Sequence, residues 1–149
     1  MCMESLVRRL GRILSLKKNS MKVGGHIEPP PSPGLWRMQA LERALKSYVD
    51  DKGWREPVRT LGESAKRLGT DTHTLHYYFA TRIGQDFRSW RTRLRLEDAK
   101  RMLVENPGLH PAEIGRRAGF SNRSNFARQF QAYTGLTPGQ WRDSRSSRE

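Results

Sequence analysis

His73 and His76 stand three apart, a spacing that puts two imidazoles on one helical face and that some metal sites use. The nearest acid is Asp71, and the only cysteine, Cys2, is remote, so no ligand set forms around them and no metal is expected. No serine, histidine and acid stand in a recognisable catalytic context, and no Gly-rich loop is built to cradle a phosphate. An enzyme is not expected, nor a cofactor. The other chemistry-bearing cluster is Arg123, Ser124, Asn125 and Arg128. An arginine can meet a guanine edge with two hydrogen bonds, and an asparagine can do the same to adenine.

Both clusters need helices to hold them, and the apolar spacing supplies these. From Thr60 to Leu68, Leu61, Ala65 and Leu68 recur at helical intervals, and Gly69 ends the run. Asp71 can then cap a second helix that turns Leu75, Tyr78 and Phe79 inward. Removing those leaves Thr72, His73, His76 and Tyr77 on its outer face. The pattern returns downstream. Pro111 to Ala118 buries Ile114 and Ala118, Gly119 ends the helix, Ser121 or Asn122 caps the next, and Phe126, Phe130 and Tyr133 face inward. Leu75 and Phe126, Phe79 and Phe130, and Gly84 and Gly135 are each 51 apart, while Ala65 and Gly115, like Gly69 and Gly119, are 50 apart. Helix, glycine turn, helix is therefore an internal repeat.

The remaining elements frame this repeat. A helix is predicted over 35–51, with Leu35, Met38, Leu41, Leu45, Tyr48 and Val49 on one face. A loop follows through Gly53, Trp54 and Pro57. A long helix is predicted over 86–105, apolar at Phe87, Trp90, Leu94, Ala99, Met102 and Leu103, and stopped by Asn106-Pro107-Gly108. The aromatic residues Trp54, Trp90, Phe87, Phe120 and Trp141 fit core positions better than stacking platforms for single-stranded bases.

Charge narrows the partner. The 149 residues carry 28 basic and 15 acidic side chains, a net +13, which draws polyanions towards the protein. Nucleic acid is the first partner implied and an anionic membrane surface the second. Seven of the basic residues, Arg8, Arg9, Arg12, Lys17, Lys18, Lys22 and Arg37, lie in the first 37 positions against Glu4 and Glu28. Residues 1–18 read as a basic amphipathic segment with Leu6, Leu10, Ile13 and Leu14 on one side, and Gly24 to Gly34 as a Pro/Gly-rich linker that excludes helix. No apolar run approaches the roughly 20 residues that span a bilayer, and the early arginines interrupt any signal peptide. With its single cysteine, the chain fits a reducing cytoplasm. The length suggests one ordinary domain plus a tail, without room for two independent cores.

The stretch from Ala118-Gly119-Phe120-Ser121-Asn122-Arg123 through Phe126 and Phe130, with Tyr133, Gly135-Leu136-Thr137-Pro138 and Trp141-Arg142, resembles the C-terminal signature of the AraC/XylS regulators. The first repeat (Leu61, Ala65, Leu68-Gly69, Leu75, Phe79, Gly84) and Arg95-Leu96 with Ala99 extend the resemblance over roughly 38–143. It implies an all-α domain of about seven helices. Two helix-turn-helix, homeodomain-like subdomains, at about 60–80 and 111–134, are joined by the 86–105 linker helix, behind a flexible basic tail at 1–37 and before a short tail at 144–149.

The resemblance further implies a transcription factor that inserts one helix from each subdomain into successive major grooves of promoter DNA, about 34 Å apart. Thr72, His73, His76 and Tyr77, and Arg123, Ser124, Asn125 and Arg128, are then the candidates for base contact. Thr60, Lys66, Arg67, Arg116 and Arg117, with the linker arginines, are candidates for phosphate contact or solvated charge. Double-stranded DNA is the main partner, RNA polymerase a further one, and membrane contact by the N-terminal segment a lesser one. The 37-residue tail is too short for an effector domain, so a monomer on DNA is expected. Gly115 stands where the family usually has alanine, and Gly62 loosens the first supporting helix, each at a cost in helix stability. The rival reading is a membrane- or protein-docked module, or the truncated remnant of a longer regulator, with only nonspecific DNA affinity.

Overall fold

A computed structural model describes residues 33–57 and 60–146. The expected N-terminal amphipathic segment and most of the linker lie outside the described residues. Among those described there are seven α-helices and no strand: α1 (Pro33–Asp50), α2 (Leu61–Arg67), α3 (Thr72–Tyr78), α4 (Phe87–Glu105), α5 (Pro111–Arg117), α6 (Arg123–Thr134) and α7 (Pro138–Ser146). No helix among them is long and apolar enough to cross a membrane.

The described residues divide into two compact units, one running through Asp51 and then Val58–Phe87, the other made of Lys52–Pro57 and the chain from Arg88 onward. The expectation of a single core is revised accordingly, since each unit buries its own apolar set. Phe87 opens α4 in the first unit, and the rest of that helix belongs to the second.

In the first unit α1 buries Leu41 and Leu45, while α2 and α3 contribute Ala65, Leu75 and Tyr78, with Leu68 and Phe79 just beyond their ends. The Phe79 ring meets Phe87 edge-on at 5.3 Å and Tyr78 at 5.9 Å. α1 starts at Pro33, inside the stretch expected to be linker. Proline suits the first helical turn, where its missing N–H has no partner to lose, so Pro33 starts the helix instead of preventing it. Leu35, expected on the buried face, is exposed because it stands in this first turn at the edge of the apolar stripe.

In the second unit Leu96, Ala99, Met102 and Leu103 of α4 pack with Ile114, Ala118, Phe120, Phe126 and Phe130. The loop expected around Trp54 is a short 3₁₀ turn, Gly53–Arg55, docked on α4. Trp54 is buried and its Nε1 donates to Asp98 Oδ2 at 3.2 Å, while Arg55 grips the same carboxylate at 2.6 and 2.9 Å. Arg101 also donates to Asp98, through Nη2 to Oδ1 at 2.8 Å. Burial alone would raise the Asp98 pKa, but the bonds from Arg55, Arg101 and Trp54 prevail and hold it below the usual carboxylate value. Arg95 donates to the Trp54 and Glu56 carbonyls at 2.5 and 2.8 Å. Arg142 of α7 caps the end of α4 and the following loop through the carbonyls of Leu103, Pro107 and Leu109.

Candidate nucleic-acid interface

In the first unit the supporting helix α2 opens with a reciprocal cap: Thr60 Oγ1 accepts from the Glu63 N–H, and a Glu63 carboxylate oxygen accepts from the Thr60 N–H, both at 3.1 Å. Gly69 adopts φ +66°, a left-handed conformation that suits glycine and ends α2. Asp71 then caps α3, accepting from the Thr74 N–H and hydroxyl at 2.8 Å each. The Thr74 backbone bond, followed by its hydroxyl, lowers the Asp71 pKa.

The cap leaves α3 with a buried side made by Leu75 and Tyr78 and an open side carrying Thr72, His73, His76 and Tyr77, all exposed. The four side chains singled out in this repeat therefore share one surface. A wider π-helical turn, Phe79–Ile83, follows and closes at Gly84 with φ +76°. Beside α3 a shallow groove of about 250 Å³ is lined by Gly34, Arg37 and Met38 of α1 and by His73, Thr74 and Tyr77. This wall is not foreseen from the sequence, where Gly34 reads as linker and Arg37 as tail charge.

In the second unit His110, not foreseen as a cap, accepts the Ala112 N–H through Nδ1 at 3.2 Å and starts α5 ahead of Pro111. Asn122, one of the two residues considered, caps α6 by accepting from the Asn125 N–H at 3.0 Å. Phe126 and Phe130 are buried, their rings 5.5 Å apart, which turns Arg123, Ser124 and Arg128 to the exterior. Asn125 is half-buried, and its Oδ1 already accepts from Arg128 Nη2 at 3.1 Å and Gln129 Nε2 at 2.8 Å.

The residues considered for phosphate contact differ in their freedom. Thr60 is engaged in its cap, Lys66 is exposed in the last turn of α2, and Arg67 beside it is solvent-facing though not without a partner. Arg116 and Arg117 converge on Glu113, through Nη2 at 2.7 Å and Nε at 2.8 Å respectively. Hydrogen bonds from these two arginines pull the Glu113 pKa down to about 2. The linker arginines are less available than their number suggests, because Arg91 is buried, Arg95 holds backbone carbonyls and Arg101 holds Asp98. No group of three or more metal-ligating side chains gathers among the described residues.

Each of the two glycine-turned helix pairs thus has a capped second helix that is open on its outer side. The profile of an AraC/XylS-type family described as a helix-turn-helix domain matches residues 64–144, more than half of the chain. The chain belongs to the AraC/XylS family.

Among AraC/XylS relatives, it is 35% identical over 108 residues to the transcriptional activator NphR of Rhodococcus sp, covering 72% of this chain and 31% of NphR. It is 26% identical over 119 residues to the arabinose operon regulatory protein of Escherichia coli (strain K12), covering 72% of this chain and 40% of that protein. The chain thus spans well under half the length of these two relatives. The fold is similar to the C-terminal domain of AraT, a response regulator from Geobacillus stearothermophilus, with a TM-score of 0.62 and 25% identity over 70% of this chain and 84% of that one. It is also similar to the C-terminal domain of the two-component response regulator yesN from Fusobacterium nucleatum subsp. nucleatum ATCC 25586, with a TM-score of 0.59 and 25% identity over 67% of this chain and 96% of that one.

Proposed function

We propose that this chain regulates transcription by seating α3 and α6 in successive major grooves of promoter DNA and reading base edges with their outer faces. The observation that carries the reading is the side-chain distribution on α6. Phe126 and Phe130 are buried, while Ser124 and Arg128, four apart on the opposite side, are exposed with hydrogen-bonding groups that fit base edges. On α3 the exposed Thr72, His73, His76 and Tyr77 take the same role. Lys66, Arg67 and the Arg116–Arg117 pair on the supporting helices are suited to phosphates, which fix register without reading sequence.

The similarity to NphR, a transcriptional activator, supports activation as the sign of regulation, and RNA polymerase is the second partner that this reading proposes. A protein with this role works in the cytoplasm. The test is a selection of bound sequences from a random duplex pool with purified protein, repeated with Arg123→Ala and Arg128→Ala. Two boxes about one helical turn apart, one of them lost in the variants, support the reading. Binding without a motif, which fades as salt rises, overturns it in favour of nonspecific charge attraction.

A further inference from the structure

The groove beside α3 lies on the side that the proposed function sends into DNA. His73 and Tyr77 belong both to the outer face of α3 and to the groove lining, and the opposite wall is the first turns of α1, with Gly34, Arg37 and Met38. The major groove is about 12 Å wide, which one helix nearly fills. A second helix packed alongside at the usual 8–10 Å therefore meets the groove's edge, where the sugar-phosphate backbone runs. Gly34 carries no side chain, which keeps this wall low, and a β-carbon added there would meet nothing within 4 Å. Arg37 is the cation on that wall and is exposed.

We infer that the groove between α1 and α3 seats a stretch of DNA backbone, with Arg37 binding a phosphate at the edge of the major groove that α3 occupies. The inference rests on the reading of α3 as a base reader and adds to it a backbone contact from outside the helix-turn-helix. Arg37 then fixes how far α3 slides along the groove, and Met38, half-buried, gives the apolar floor on which a deoxyribose can rest.

The experiment measures duplex affinity across a salt series for the full chain and for Arg37→Ala, on a duplex recovered from the selection and on a shuffled one. Arg43→Ala is the control, because Arg43 is exposed on the same helix but does not line the groove. Loss of one phosphate contact weakens both duplexes by the same factor and flattens the log affinity against log salt slope by about 1. Arg37→Lys restores the slope, and the selected motif stays unchanged. An Arg37→Ala slope equal to the parent's, or an equal flattening in Arg43→Ala, overturns the inference. A motif altered in one box overturns it too, because Arg37 would then read a base. Failure of the parent to select any motif sinks the base-reader proposal alone, since the slope is still read on the shuffled duplex.

Discussion

The Phe126 ring of α6 lies against the α-carbon of Gly115 in α5, so close that a β-carbon built on Gly115 would stand 2.5 Å from the ring's Cδ1. The glycine expected to weaken the supporting helix is what admits α6 at this depth. Gly115→Ala should therefore destabilise the second unit by about 1–3 kcal/mol, as overpacking does, despite alanine's better helix propensity. Gly62 gives the contrasting case, since a β-carbon there would meet only Thr60 Oγ1, at 3.9 Å. Gly62→Ala should stabilise by roughly 0.4–1 kcal/mol. Thermal unfolding by circular dichroism, with Tm moving down for the first and up for the second, checks both signs.

Gly119 is more constrained than Gly115. Its φ of +103° already disfavours any side chain, and a β-carbon would sit 2.6 Å from the Trp54 carbonyl oxygen and 2.8 Å from Arg95 Nε. Gly119→Ala should combine backbone strain of about 1–3 kcal/mol with loss of the contact between the α5–α6 turn and the 3₁₀ turn. Reduced protection of the Phe120 amide, which donates to the Gly115 carbonyl at 3.0 Å, would locate the damage by hydrogen exchange. Unchanged protection there would show that the turn adapts to a side chain.

How much of this was legible in the sequence depends on whether the signal was periodic. Leu75, Phe79, Phe126 and Phe130 announced themselves because buried residues on a short helix recur at three and four, and Gly69 and Gly119 because a left-handed helix end favours one residue type. Asp98 gave no such signal. It sits in an arginine-rich run that reads as a solvated face, and its burial is made tolerable by the distant Trp54 and Arg55 together with Arg101 on its own helix. Pro33 and Gly34 misled because their composition suits a linker, whereas a proline opens a helix when the next residues continue one. The meaning of Gly115 was hidden for a related reason: helix propensity is local, and its contact with Phe126 is tertiary.

Asp98 should dominate the acid limit of the second unit. Its folded pKa lies below the ordinary value of 3.8, so its stabilisation is present above that value and is lost as pH falls through the depressed one. Asp98→Asn removes the charge facing Arg55 and Arg101 and should cost about 3 kcal/mol at neutral pH, as breaking buried pairs does. Acid titrations of stability should then be flatter below pH 3.8 in the variant than in the parent. Parallel curves would assign the acid transition to other carboxylates, with Glu113, held down to about 2 by Arg116 and Arg117, the next to test.

Asn125 and Arg128 on α6, both candidates for base contact in the sequence, should differ in what they do on DNA. Reading adenine takes both the oxygen and the nitrogen of an asparagine amide. Asn125 Oδ1 is already filled, since a carbonyl oxygen has two lone pairs and Arg128 and Gln129 each donate to it. Asn125 should therefore position Arg128, and Arg128 should read the base. Arg128→Ala should cost about 1–3 kcal/mol on a selected duplex and relax preference at a single base pair, and Arg128→Lys should fail to restore it because lysine lacks the planar fork. Asn125→Ala should cost less and leave the preferred base unchanged, because the arginine is loosened and not removed. Binding of each variant to the selected duplex and to its single-base substitutions decides between them. Loss of an adenine preference in Asn125→Ala, with Arg128→Ala uniform across sequences, would reverse the two roles.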